Sequence, residues 1–68
     1  MTLRDLTNQF YIQGAYCIKR WVDEHDYYAV IAQGTDFECD YHKFNEAIWD
    51  MTITYMYAVD GVLNIEVE

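Results

Sequence analysis

A chain of 68 residues, 53% hydrophobic and carrying twelve aromatic side chains, has apolar surface enough for one small domain, residues 1–68, and too much for intrinsic disorder. Its formal net charge of −8 is uneven, with +2 on residues 1–22 and −10 on residues 23–68. That balance argues against direct nucleic-acid binding and anionic membranes and favours basic surfaces as partners.

No apolar run approaches the roughly 18 residues of a membrane-spanning helix. Met1–Leu6 lacks the apolar stretch and cleavage site of a signal peptide, so the expected compartment is the cytoplasm. Cys17 and Cys39 are too few for a disulfide framework and read as small buried or half-buried thiols beside apolar neighbours.

In chain order, Thr2 predicts the N-cap of a short helix with Leu3 and Leu6 on one side. Phe10–Val22 alternates, with Phe10, Ile12, Tyr16 and Ile18 on one face and Tyr11, Gln13, Ala15, Cys17 and Lys19 on the other. This predicts a long strand bent at Gly14. Val22–Asp26 reads as a polar turn, Tyr27–Gln33 as the returning strand, and Gly34 as its end. Thr35-Asp-Phe-Glu38 fits a capping box, with Asp40 a competing N-cap, ahead of a main helix over Tyr41–Asp50. Phe44, Ala47, Ile48 and Met51 would form the buried stripe of that helix.

The closing segment Thr52–Val67 is a hairpin by the strongest short-range signal available, Asp60-Gly61 between alternating runs. A two-residue turn pairs Val59 with Val62, Ala58 with Leu63, Tyr57 with Asn64, Met56 with Ile65 and Tyr55 with Glu66. One face is then Thr54, Met56, Ala58, Leu63, Ile65 and Val67, small and apolar. The other is Ile53, Tyr55, Tyr57, Asn64, Glu66 and Glu68. The expected architecture is α+β in αββαββ order. Two layers are foreseen, a four-stranded antiparallel sheet with one main helix and a short N-terminal helix on one face, the other face open.

No catalytic constellation stands out. The chain has no serine, which removes a Ser-His-Asp triad, and no glycine-rich phosphate loop. Asp23-Glu24-His25-Asp26, with Cys39, Asp40 and His42 elsewhere, lacks the paired spacing of zinc ligands and the glycine of a calcium loop. It reads as a solvated turn, so neither metal nor cofactor is expected. Cys39 and His42 could be imagined as a nucleophile pair, but no third group orients them and so short a chain leaves no room for a cleft. The expectation is a protein that is not an enzyme. Trp21, beside the acidic turn, and Trp49, beside the helical stripe, read either as core-edge packing or as interface anchors.

Thr2-Leu-Arg-Asp-Leu6, Ile48-Trp-Asp-Met-Thr-Ile53 with Tyr55 and Tyr57-Ala58, and Asp60-Gly61 followed by Val62-Leu-Asn-Ile-Glu-Val-Glu68 resemble a family of short acidic proteins of phages and mobile elements of gut bacteria. The resemblance covers roughly the first six and last twenty residues. Some small acidic phage proteins are anti-CRISPR inhibitors that imitate DNA phosphates in the basic groove of a Cas effector. This chain is similar to them in size, charge and expected fold, which implies action in the bacterial host cell. On that reading Asp23, Glu24, Asp26, Asp36, Glu38, Asp40, Glu66 and Glu68 replace phosphates, while Trp49, Tyr55 and Tyr57 anchor the contact. The partner would be a basic protein surface such as a CRISPR-Cas effector. The alternative is an accessory or assembly protein that forms a homodimer through its tyrosine face, with acidity serving solubility alone.

Overall fold

Thr2 does start a helix. In the computed structural model, which describes residues 1–68, α1 spans Leu3–Gln9. The Thr2 hydroxyl accepts from the Asp5 N–H at 3.2 Å, and the Asp5 carboxylate accepts from the Thr2 N–H at 3.0 Å. This reciprocal box satisfies two of the helix's free donors. The next element is shorter than expected: β1 covers Ala15–Val22 rather than starting at Phe10. Gly14 has φ +87°, which breaks the extended run. Beyond it no neighbouring strand is available, because the partners of β1 end at Gly34, opposite Tyr16, and at Val62, opposite Ala15. Phe10 and Tyr11 are left exposed.

β2 spans Tyr27–Gly34 and pairs antiparallel with β1 across the Asp23–Asp26 turn. The expected ten-residue helix is absent as a single element. Phe37–Asp40 forms α2, Tyr41–Lys43 a 3₁₀ turn, and Glu46–Trp49 a separate α3. Two local competitions explain the break. Asp36, rather than Thr35, caps α2 by accepting from the Cys39 N–H at 3.3 Å. Asn45 begins a new helix by accepting from the Ile48 N–H at 3.0 Å, and Phe44 before it is extended. The break lets Phe44 face Tyr16, Phe37 and Trp49, with ring centroids 5.7–5.8 Å away, while Ala47 is exposed.

β3 (Ile53–Val59) and β4 (Val62–Val67) form the hairpin in the expected register from Tyr55↔Glu66 to Val59↔Val62. Asp60 and Gly61 supply the two positive φ values, 52° and 77°, that its turn requires. At the open end the register shifts: Ile53 pairs with Val67, leaving Thr54 as the extra residue of a bulge. Ile53 consequently packs on the core instead of joining the tyrosine face, and Thr54 is exposed.

The sheet order is β2-β1-β4-β3, and β1 and β4 are parallel. The sheet is therefore mixed, where an all-antiparallel one was expected. Docking the second hairpin through β4 puts its most apolar row, Leu63, Ile65 and Val67, beside Tyr16 and Ile18 at the centre of the sheet. Docking through β3 would have placed Met56 and Ala58 there, with less apolar area to bury. Leu3 and Leu6 of α1 and Phe37 of α2 cover this row, giving a core of seven buried residues with Tyr16, Ile18, Ile65 and Val67. The Leu3 N–H donates to the Met51 carbonyl at 3.1 Å and the Ile53 N–H to the Met1 carbonyl at 2.8 Å, tying the N-terminus to the entry of β3. No helix is long and apolar enough to cross a membrane.

Tyr16 also carries the polar link between the layers. Its hydroxyl donates to the Asp40 carboxylate at 2.8 Å, and burial together with that bond pushes its pKa up to about 12. Gly34 makes room for the pair, because a Cβ there would collide with the Asp40 carboxylate and crowd the Tyr16 ring.

Candidate functional site

With the helices on one face, the other face of the sheet stays uncovered, and its residues follow from strand parity. β1 presents Cys17, Lys19 and Trp21; β4 presents Asn64 and Glu66, paired with Tyr57 and Tyr55 of β3. The contribution of β2 depends on a bulge. Ile18 pairs with Ala32 but Lys19 pairs with Val30, so Ile31 is the extra residue and packs on the core. The shift sets Tyr28 opposite Trp21, where plain alternation would have put Ala29. Their rings meet edge to face at 4.9 Å.

Lys19 lies at the middle of this face. Its ammonium donates to the Asn64 side-chain oxygen at 3.2 Å and sits 4.6 Å from the Tyr28 ring centre and 5.3 Å from that of Tyr57. Interaction with the Tyr57 hydroxyl holds its pKa above the ordinary lysine value. Next to it the Tyr28 hydroxyl donates to Glu66 Oε1 at 3.1 Å, and partial burial, then that bond, raises the Tyr28 pKa.

Beyond Tyr28 the face opens into a shallow cleft of about 610 Å³, which so short a chain was not expected to have room for. Trp21, Tyr28 and Tyr55 form its aromatic walls, and Asp23, Glu66 and Glu68 supply carboxylates. The β2 bulge serves it by aiming Tyr28, and the β3 bulge leaves Thr54 exposed beside it. Trp21 is 44% exposed and Tyr55 67%. None of the three carboxylates is in an ion pair; the ion pairs of the molecule are those of Arg4 with Glu46 (2.6 Å) and Asp50 (3.3 Å).

The residues singled out from sequence separate into groups. Asp23, Tyr55, Glu66 and Glu68 come together at the cleft, and Tyr57 shares their face. Glu24 and Asp26 are exposed in the adjoining turn. Asp36, Glu38 and Asp40 lie at the other end of β1, around α2 on the core side, where Asp36 and Asp40 are occupied by the cap and by Tyr16. Trp49 belongs to the helical layer. Its indole N–H donates to the Phe44 carbonyl at 3.1 Å, and its ring packs on the core beneath Arg4.

Tyr28 was the missing member of the cleft, and Trp21, read from sequence as core-edge packing or an interface anchor, lines it. The parity of Lys19 already placed Trp21 on the open face, whereas the position of Tyr28 depends on a bulge without a local sequence signature. Cys17 is half-buried as expected, but Cys39 is exposed; its interaction with Asp36, and the negative field of that residue, raise the thiol pKa.

Compared with protein-family models, with curated proteins and with solved structures, the chain matches none.

Proposed function

We propose that this chain is a non-enzymatic acidic inhibitor, encoded by a phage or mobile element, that binds a basic nucleic-acid-handling protein such as a CRISPR-Cas effector and presents carboxylates where that protein receives DNA phosphates. The observation that carries this reading is the gathering of Asp23, Glu66 and Glu68 around exposed aromatic rings on a sheet face with no covering layer. A net charge of −8 adds long-range attraction to a basic channel, and the rings supply rigid contact area at low entropic cost. Effectors of this kind hold their heteroduplex in a positively charged channel, where a fixed array of carboxylates can compete.

The test is co-elution of the protein with a Cas effector complex from a related host at low and high salt, followed by competition with target DNA. Binding should weaken steeply as salt rises and should exclude DNA. Reversal of all three cleft acids, Asp23→Lys, Glu66→Lys and Glu68→Lys, should abolish it. Unchanged binding by the triple variant would defeat the phosphate-mimic reading.

One observation favours a second reading. β3 is an edge strand without a charged residue, and Tyr55–Val59 are all exposed, so its free backbone groups could pair with another copy of the chain. A homodimer formed in this way would barely respond to salt, and light scattering on the pure protein distinguishes the two.

A further inference from the structure

We infer that the cleft between Trp21, Tyr28 and Tyr55 is a receptor for the guanidinium end of an arginine side chain from the partner protein. This rests on the reading of the chain as a binder of basic proteins and names the group that the site takes.

Three features point to a cation of this shape. The walls are aromatic, and a ring face attracts a positive charge held within about 6 Å of its centre. No carboxylate is in an ion pair: Tyr28 uses one oxygen of Glu66 and leaves the other free, with Lys19 beside it in the sheet register, while Asp23 and Glu68 have no cationic partner. Arg20 lines the cleft too and makes no ion pair with them. Glu66 is half-buried, so its charge is poorly served by solvent and gains more from a counter-ion than a fully exposed carboxylate would.

The same molecule shows both halves of the recognition at work elsewhere. In the helical layer, the Arg4 guanidinium is held by Glu46 and Asp50 with its carbon 6.0 Å from the Trp49 ring centre. That is one tryptophan and two carboxylates around a guanidinium, the set that Trp21, Glu66 and Glu68 offer at the cleft. On the sheet itself, Lys19 already places an ammonium over Tyr28 and Tyr57. Arginine suits the cleft better than lysine, because a planar fork can stack on an aromatic wall and donate two parallel hydrogen bonds to a carboxylate, whereas an ammonium is a strongly hydrated point charge.

The test needs no effector. Blocked tripeptides Gly-Arg-Gly, Gly-Lys-Gly and Gly-citrulline-Gly are titrated into the intact protein while its backbone and indole N–H resonances are followed. Citrulline keeps the size and planarity of arginine and removes the charge. The arginine peptide should shift the Trp21 indole and the Glu66 amide saturably with a Kd in the millimolar range, and citrulline should bind at least about 10-fold more weakly. Glu66→Gln and Trp21→Ala should each weaken the arginine peptide by roughly 5-fold with the rest of the spectrum unchanged. Equal shifts with arginine and citrulline, no saturation by about 50 mM, or shifts mapping to the α2 acids instead would overturn the inference.

The two levels of the argument fail separately. If the cleft discriminates arginine but no effector binds, the site stands and the inhibitor reading falls. If an effector binds and Trp21→Ala leaves both its affinity and the peptide shifts intact, the arginine site falls and the inhibitor reading survives.

Discussion

Replacing Tyr16 with Phe removes one oxygen from the most polar point of the core and leaves the rest of the packing in place. The Tyr16 ring contacts Phe37 and Phe44 edge to face at 5.2 and 5.8 Å, contacts that phenylalanine preserves. What disappears is the 2.8 Å hydrogen bond to Asp40, a partly buried carboxylate with no ion-pair partner. Hydrogen bonds to charged groups contribute about 1.5–3 kcal/mol.

The proton of Tyr16 sets the pH range over which the difference disappears. Burial first, then the bond to Asp40 and its charge, raise the pKa from 10 to about 12, so that at 1.36 kcal/mol for each unit ionising Tyr16 costs the fold roughly 2–3 kcal/mol. Because the folded value lies above the unfolded one, this stability is fully present below pH 10 and is lost as the pH climbs through 12. Urea unfolding should therefore find Tyr16→Phe about 2 kcal/mol less stable at about pH 8, with the difference shrinking steadily by about pH 11.5. Tyrosinate absorbance should show one late-titrating group that the variant lacks. A stability difference that stays constant over this pH range, or a variant as stable as the parent at pH 8, would refute the assignment.

Other perturbations separate the layers. Gly34→Ala forces a methyl group onto the Asp40 carboxylate; it should cost about 1–3 kcal/mol in denaturant and bring the late tyrosine titration back toward the ordinary range. Ile65→Ala empties a site of 0% exposure at the centre of the sheet and should cost about 2–5 kcal/mol. Met56→Ala, directly across the β3–β4 pair but 46% exposed, should cost less than about 1 kcal/mol by the same measurement. Asn45→Ala removes the cap of α3 and should cost about 1 kcal/mol, with faster amide exchange confined to Glu46–Trp49.

The sequence was readable where a local interaction decides the outcome. Asp60-Gly61 sets the hairpin register through backbone conformation alone, and Thr2 with Asp5 sets the first cap; both depend on residues a few positions apart. The helical segment went astray because Phe44 and Ile48 carry a helical spacing although Asn45 offers the backbone a competing cap. An asparagine followed by Glu46 inside a predicted helix was the available warning. The sheet order lay beyond local signals altogether, since either strand of the second hairpin could have docked on β1. Buried area settles that choice, and it can be compared only once both hairpins exist. Half of the cleft was legible for the same reason: Tyr55 and Glu66 belong to the hairpin, whereas Tyr28 reaches the cleft only through the irregular pairing of β2 with β1.

The parallel pairing of β1 with β4 also governs how fast this protein reaches its native state. Each hairpin is a local structure, and such units form within about 1–10 μs. The pair that completes the core is not local, since Lys19 meets Asn64 across 45 residues. Neither hairpin can bury its apolar row until that meeting takes place, so the loop-closure entropy falls on a single late step. Until then the edge of β4 that will meet β1 and the row Leu63, Ile65 and Val67 face solvent. The interval before the hairpins dock is thus when the chain is most exposed to aggregation.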